Sequence, residues 1–184
     1  MKALVFLATG FEEIEAVGTI DILRRGDIET VTVSVTEEKT VTGAHGIPVT
    51  ADALFENIDY ADYDALILPG GGPGSLALKN HEGLRAAVAD HYGKGKLIAA
   101  ICAAPRVFGS LGLLKGKKAT CYPGFEAELT EAVIVDSAVV TDHNVITGRG
   151  PGFVFDFGFA ILNYLTGNTC ATDDVAEGML LPLR

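Results

Sequence analysis

Cysteine is scarce in this sequence, with three residues in 184. Three thiols cannot build a disulfide scaffold, and their odd number points to a reducing compartment, expected to be the cytoplasm. Basic residues are also few, 14 against 24 acidic ones, leaving a net charge of −10. That balance argues against nucleic acid or an anionic membrane surface as partner. No apolar run approaches the ~18 residues that a bilayer span requires. The opening Lys2–Ala8 imitates a short signal core, yet no small-residue cleavage site follows it, and it reads as a first strand. His45, His81, His91 and His143 show no ligand spacing with one another or with a cysteine pair, so no metal site is expected. His81 and His91 fit a solvated helix. A phosphate loop, a dinucleotide-type glycine spacing and a Gly-x-Ser-x-Gly elbow are all missing. No repeat or linker divides the chain, so residues 1–184 read as one domain.

What is present is apolar and periodic. Hydrophobic residues make up 48% of the chain, enough for a complete core at this length. Runs rich in Val, Ile and Leu at Lys2–Ala8, Glu29–Val35, Ala65–Leu68 and Lys96–Ile101 read as strands. Shorter ones follow at Ala119–Tyr122, Val133–Val135, Ala138–Thr141 and Val145–Thr147. Continuous apolar runs suit parallel strands buried on both faces. Helical patterns occupy about Glu12–Arg25, His81–Tyr92, Pro105–Leu111 and Gly152–Leu165. The last carries apolar residues around most of its circumference and is expected to be packed nearly all round. Thr40–Thr50 reads as a hairpin about Gly43–Gly46. The alternation predicts an α/β fold with a mostly parallel sheet.

Three stretches could carry chemistry. In Leu97-Ile-Ala-Ala-Ile-Cys102-Ala-Ala-Pro105 a buried strand runs into a cysteine, two small residues and a helix-starting proline. A nucleophile on a tight strand-to-helix turn needs small neighbours. The helix N-terminus would favour the thiolate there, and Ala103 N–H could face an oxyanion. A small core cysteine is the competing reading. Leu68-Pro-Gly-Gly-Gly-Pro-Gly74 also ends a strand; its glycine N–H groups suit either an anion pocket or a plain tight turn. Glu15 falls on the apolar stripe Phe11, Glu15, Gly18, Ile22 of the first helix. A carboxyl facing the core must be protonated, paired or functional. Thr9 and Glu12 read as a capping box, with Glu12 and Glu13 an ordinary charged helix start.

Cys102, Glu15 and Leu68-Pro-Gly-Gly71, together with Ala3–Glu15, Asp21–Arg25 and Thr147-Gly-Arg-Gly-Pro-Gly152 in this order, make the chain resemble the DJ-1/ThiJ/PfpI superfamily, in the branch around DJ-1. The resemblance runs over nearly the whole chain. It implies a flavodoxin-like three-layer sandwich, usually a homodimer, with the reactive cysteine at Cys102 and its carboxyl partner at Glu15. It places the oxyanion donors at Gly71 and Ala103, and family arginines near the pocket and interface at Arg25 and Arg149. Three departures stand out. Family hydrolases carry a histidine directly after the cysteine, where this chain has Ala103, and Tyr122 stands where the DJ-1 branch often has a histidine. His45 replaces a pocket arginine. These departures argue against a peptidase. The expected activity is cofactor-independent chemistry on a reactive carbonyl or glycated substrate, of glyoxalase or deglycase type. The competing expectation is a redox-sensing or chaperone-like protein whose Cys102 is oxidised to sulfinate.

Overall fold

The computed structural model describes residues 1–181; the last three of the span 1–184 lie outside the described residues. The strands are β1 (Lys2–Leu7), β2 (Glu29–Ser34), β3 (Thr40–Thr42), β4 (Pro48–Thr50), β5 (Ala53–Leu54), β6 (Ala65–Leu68), β7 (Leu97–Ile101), β8 (Lys118–Ala119), β9 (Val133–Ile134), β10 (Val139–Asp142) and β11 (Val145–Gly148). The helices are α1 (Glu13–Arg25), α2 (Gly72–Asn80), α3 (Glu82–Gly93), α4 (Pro105–Ser110), α5 (Val154–Thr166) and α6 (Thr169–Gly178). Seven strands form one sheet in the order β10-β11-β7-β6-β1-β2-β5. All its pairings are parallel except β10 with β11.

Alternate residues of β1 bury on opposite faces, as its unbroken apolar run requires. Ala3, Val5 and Leu7 join one core with α1 and α5; Leu4, Phe6 and Ala8 join the other with α2, α3 and α4. The result is the expected three-layer α/β sandwich. The chain leaves β1 for β2 on one side, while β6 pairs on the other. Open sheets of this kind present ligands at such a reversal of strand order, outside the carboxyl ends of the strands. Here those ends lead into residues 8–12, 69–71 and 102–104.

The structure departs from the sequence reading at several places. A helix, α2, begins at Gly72 in the stretch read only as a turn or pocket, and α6 follows α5. Pro73 supplies the second helical position of α2, where a missing N–H is harmless. The helix α5 is not packed all round: Phe155 and Tyr164 on its outer side are 37% and 40% exposed. The capping box does not form. Glu12 is itself the cap of α1 and makes no side-chain cap bond, while Thr9 is exposed. His91 is fully buried with neither ring nitrogen hydrogen-bonded, and burial, then the Lys96 charge, pushes its pKa down to about 4. His81 caps α3 by accepting the Leu84 N–H at 3.0 Å. The hairpin β3–β4 is as expected, pairing Thr40 with Thr50 and Thr42 with Pro48. No described helix is long and apolar enough to cross a membrane.

Glu13 is buried, not a solvated helix start. Its carboxylate accepts the His45 N–H at 2.7 Å, the Ile47 N–H at 3.4 Å and bonds the His45 ring Nδ1 at 2.8 Å. Burial alone would raise its pKa; these hydrogen bonds outweigh burial and hold it at about 2. The carboxyl therefore stabilises the fold above its unfolded value near 4.5, and that contribution disappears as pH falls towards 2. Glu13→Gln should cost about 1–3 kcal/mol at pH 7, the scale of an impaired buried hydrogen-bond set. In melts at descending pH the gap between the two proteins should close below 4.5; a constant gap would refute the assignment.

Candidate active site

Cys102 sits on the turn after β7 with φ +64, a left-handed conformation that an L side chain adopts only where its surroundings impose it. Three backbone bonds surround that turn: Cys102 N–H to Gly148 O at 2.9 Å, Ala104 N–H to Ile101 O at 3.0 Å, and Tyr122 N–H to Cys102 O at 2.9 Å. The side chain is 9% exposed. The N–H groups of Gly71 and Ala103 both favour the charged form of its sulfur.

Glu15 projects from the first turn of α1 and is completely buried. Its Oε2 accepts the Gly70 N–H at 2.8 Å, while Oε1 lacks a partner of good geometry. A side chain at Gly70 would meet the Cys102 Cβ and Glu15 Oε2, each at 2.6 Å, so the thiol and the carboxyl flank the same glycine. Burial lifts Glu15 to about 7 against the Gly70 hydrogen bond. Burial and then the Glu15 charge push the Cys102 thiol up to about 12, opposed by the Gly71 and Ala103 N–H groups. These two acids act as one unit, because a second anion in the same dry site is strongly disfavoured. A proton on Glu15 removes the charge that opposes the thiolate and turns the carboxyl into a donor. The helix dipole contributes less than expected, since α4 has only six residues.

Gly71 shows why the glycine run is there. Its φ is +87, and an added methyl would run into the Gly10 carbonyl oxygen and lie 2.8 Å from the Glu12 nitrogen. Gly71→Ala should cost about 1–3 kcal/mol for the backbone and about 1–3 kcal/mol for overpacking, and should displace the N–H aimed at Cys102. Gly72 has an ordinary φ and nothing within 4 Å of the same probe position. Gly72→Ala should be neutral or stabilising by up to about 1 kcal/mol. Urea titration of both variants tests the contrast; equal costs would sink it.

Four of the anticipated residues thus converge: Cys102, Glu15, Gly71 and Ala103. The other four do not join that convergence. Tyr122 meets the elbow through its backbone, and its ring, 46% exposed, faces Gly150. Arg149 pairs with Asp136 and borders two cavities of about 200 and 250 Å³, one reaching Cys121 and the other Phe153. His45 is held by Glu13 instead of by the cysteine. Arg25 bonds Asp21 at 2.8 Å and borders a separate cavity with Asp174 and Val175. Glu12, Glu13 and His45 bring ligand atoms within 4.8 Å of one another, a grouping that could hold a cation, although His45 and Ile47 already occupy Glu13. Sequence reasoning missed Gly70, the donor to Glu15; its position inside Leu68-Pro-Gly-Gly71 was the available signal.

Comparison with known proteins agrees with this geometry. The DJ-1/PfpI family model matches residues 1–164. Protein DJ-1 homolog B of Arabidopsis thaliana is 42% identical over 94% of this chain, which spans 40% of that relative's length. A deglycase of Pyrococcus horikoshii is 33% identical over 84% of this chain and 93% of its own. The solved structure of oxidized Toxoplasma gondii DJ-1 superposes with a TM-score of 0.94 at 35% identity, covering 99% of both chains. By its sequence, its sheet order and the elbow at the end of β7, this chain belongs to the DJ-1/PfpI family.

Proposed function

We propose that this single-domain protein is a cofactor-independent enzyme that uses Cys102 against small reactive carbonyls, with glyoxalase- or deglycase-like chemistry in a stress response. One observation carries the reading: a strained, nearly buried cysteine lies beside a buried carboxyl and two backbone N–H groups at the carboxyl ends of the strands. The Pyrococcus relative named a deglycase supports the substrate class. The Cys102 sulfur adds to the aldehyde carbon of methylglyoxal as its proton passes to Glu15, and the carbonyl π electrons move to oxygen. Gly71 and Ala103 N–H groups stabilise that oxyanion, and the Glu15 proton converts it to the hemithioacetal. Glu15 then takes the proton from the sulfur-bearing carbon, giving an enediolate, and returns it to the neighbouring carbon while the hydroxyl proton passes to the neighbouring oxygen. The product is a lactate thioester, which water cleaves to lactate and the free thiol. Purified protein should therefore convert methylglyoxal to lactate without added thiol or metal. A rate no faster than that of Cys102→Ser would reject the proposal.

A second reading rests on the absence of histidine at Ala103 and Tyr122 and on the oxidized Toxoplasma relative. In it, peroxide oxidises Cys102 to sulfinate as a redox signal, two peroxides being reduced to water. Stoichiometric oxidation without turnover would favour this reading. The chain is proposed to act as a cytoplasmic homodimer; all three cysteines are free. Ile14 and Val17, 58% and 48% exposed on α1, form an apolar face for a second copy.

A further inference from the structure

Beyond the cysteine and its immediate partners, a cluster of charged groups links the two helices that carry the oxyanion donors. Gly71 caps α2, and Ala103 lies just before α4. Between the two helices sits Glu128, from the loop that follows β8. One of its oxygens accepts Lys79 Nζ at 2.8 Å, from the last turn of α2, and Arg106 Nε at 3.0 Å. Its other oxygen pairs with Arg106 Nη2 at 2.7 Å. Arg106 lies in the first turn of α4, four residues after Cys102, and its Nη1 reaches Ser75 Oγ at 3.5 Å. Ser75 is buried and donates its N–H to Gly71 O at 2.8 Å. The chain of contacts therefore runs from one donor to the other: Gly71, Ser75, Arg106, then the elbow.

Two further observations fix the clamp in place. The Arg106 guanidinium lies 5.1 Å over the Phe125 ring, and its side chain is only 13% exposed. On α4, Gly109 lies so close to the Glu128 carbonyl oxygen that any side chain there would overlap it. The segment holding Glu128 is thus seated against α4 by its backbone, and its carboxylate reaches across to α2. Bidentate Arg–carboxylate geometry, here half-buried, gives orientation as well as energy.

We infer that Glu128 is a positioning residue: through Arg106 and Lys79 it sets the separation of α2 and α4, and so holds the Gly71 and Ala103 N–H groups on the Cys102 sulfur. It touches no reacting atom. The inference deepens the proposed carbonyl chemistry and rests on that reading for its effect on turnover, but its effect on the thiol can be read without any carbonyl.

The test measures iodoacetamide alkylation of Cys102 against pH, thermal stability, and kcat and KM for methylglyoxal. The proteins compared are wild type, Glu128→Gln, Arg106→Gln and their double variant. Misplacing a catalytic group by about 1 Å costs up to ~10²-fold. Glu128→Gln should slow alkylation at pH 7 by about tenfold or more, shift its pH profile upward, and lower kcat more than it raises KM. Since both residues act in one clamp, the double variant should be no slower than the worse single one. Lys79→Gln, which releases one of the three polar contacts of Glu128, should have a smaller effect and serves if the other variants fold poorly. Glu128→Asp keeps the charge and should recover part of the rate.

Alkylation unchanged in folded Glu128→Gln would overturn the inference, as would strictly multiplicative effects of the two single variants. So would a loss that merely tracks thermal stability. Slowed alkylation in a protein whose wild type does not turn over methylglyoxal would keep the clamp and reject the enzyme reading. Full turnover in Glu128→Gln would do the reverse.

Discussion

Cys102→Ser should leave no methylglyoxal conversion above that of buffer. Loss of the nucleophile in covalent enzymes costs as much as ~10⁶-fold in turnover, and a drop of at least ~10³-fold is expected here on that scale. Oxygen replaces sulfur with little change in volume, so folding and the Gly71 and Ala103 donors should survive. The same thiol should stand apart in a labelling experiment. With limiting iodoacetamide, Cys102 should react ahead of Cys121, whose thiol is raised by burial and the Glu126 charge with no N–H group opposing them, and ahead of Cys170, which is exposed. Exposure favours Cys170, whereas the two N–H groups and a protonated Glu15 favour Cys102. If Cys170 is labelled first, the Glu15 charge outweighs its proton, and the thiolate mechanism fails.

Glu15→Gln should give the second largest loss, about 10²–10⁴-fold in turnover, the usual worth of one positioned acid–base group. The amide can still accept from Gly70 and donate to the sulfur, so Cys102 alkylation should change far less than catalysis. Stability supplies an independent reading. The folded pKa of Glu15 is raised to about 7 from an unfolded value near 4.5. Between those values the native protein holds a proton that the unfolded chain releases, so wild type loses stability as pH rises through that window. A glutamine cannot ionise. Relative to wild type, the variant should therefore gain stability between pH 4.5 and 7 and show no gain below 4.5. A variant that keeps full turnover would remove Glu15 from the mechanism.

The fold was largely legible because its strands are buried on both faces, which writes them as unbroken apolar runs. The elbow was legible for a related reason. A strand that ends in Cys102-Ala-Ala-Pro105 leaves little room for any other local structure. Glu15 announced itself as a carboxyl on an apolar stripe. What escaped depends on segments far apart in the chain. Nothing near Glu13 indicates that the loop around His45 folds over it and buries it. His91 looks solvated until α3 settles on β7. Glu128 lies in an unremarkable acidic stretch, and its meaning appears only when Lys79 and Arg106 arrive from two different helices. Gly71 and Gly72 look alike in sequence, yet only one has a positive φ and a carbonyl where its side chain would be.

The ends of the sheet carry their own consequence. At one end β5 has two residues, and at the other β10 is paired antiparallel to β11 and touches β8 on its outer side. There Asp142 accepts the Lys118 N–H at 2.9 Å, which takes up a main-chain donor beside the last strand. Short or covered margins of this kind give another chain no continuous row of amides and carbonyls to extend. Strand-by-strand polymerisation is thereby blocked, even though the interior strands are among the most apolar segments in the protein. Self-association is left to the helical faces, where the proposed second copy would sit.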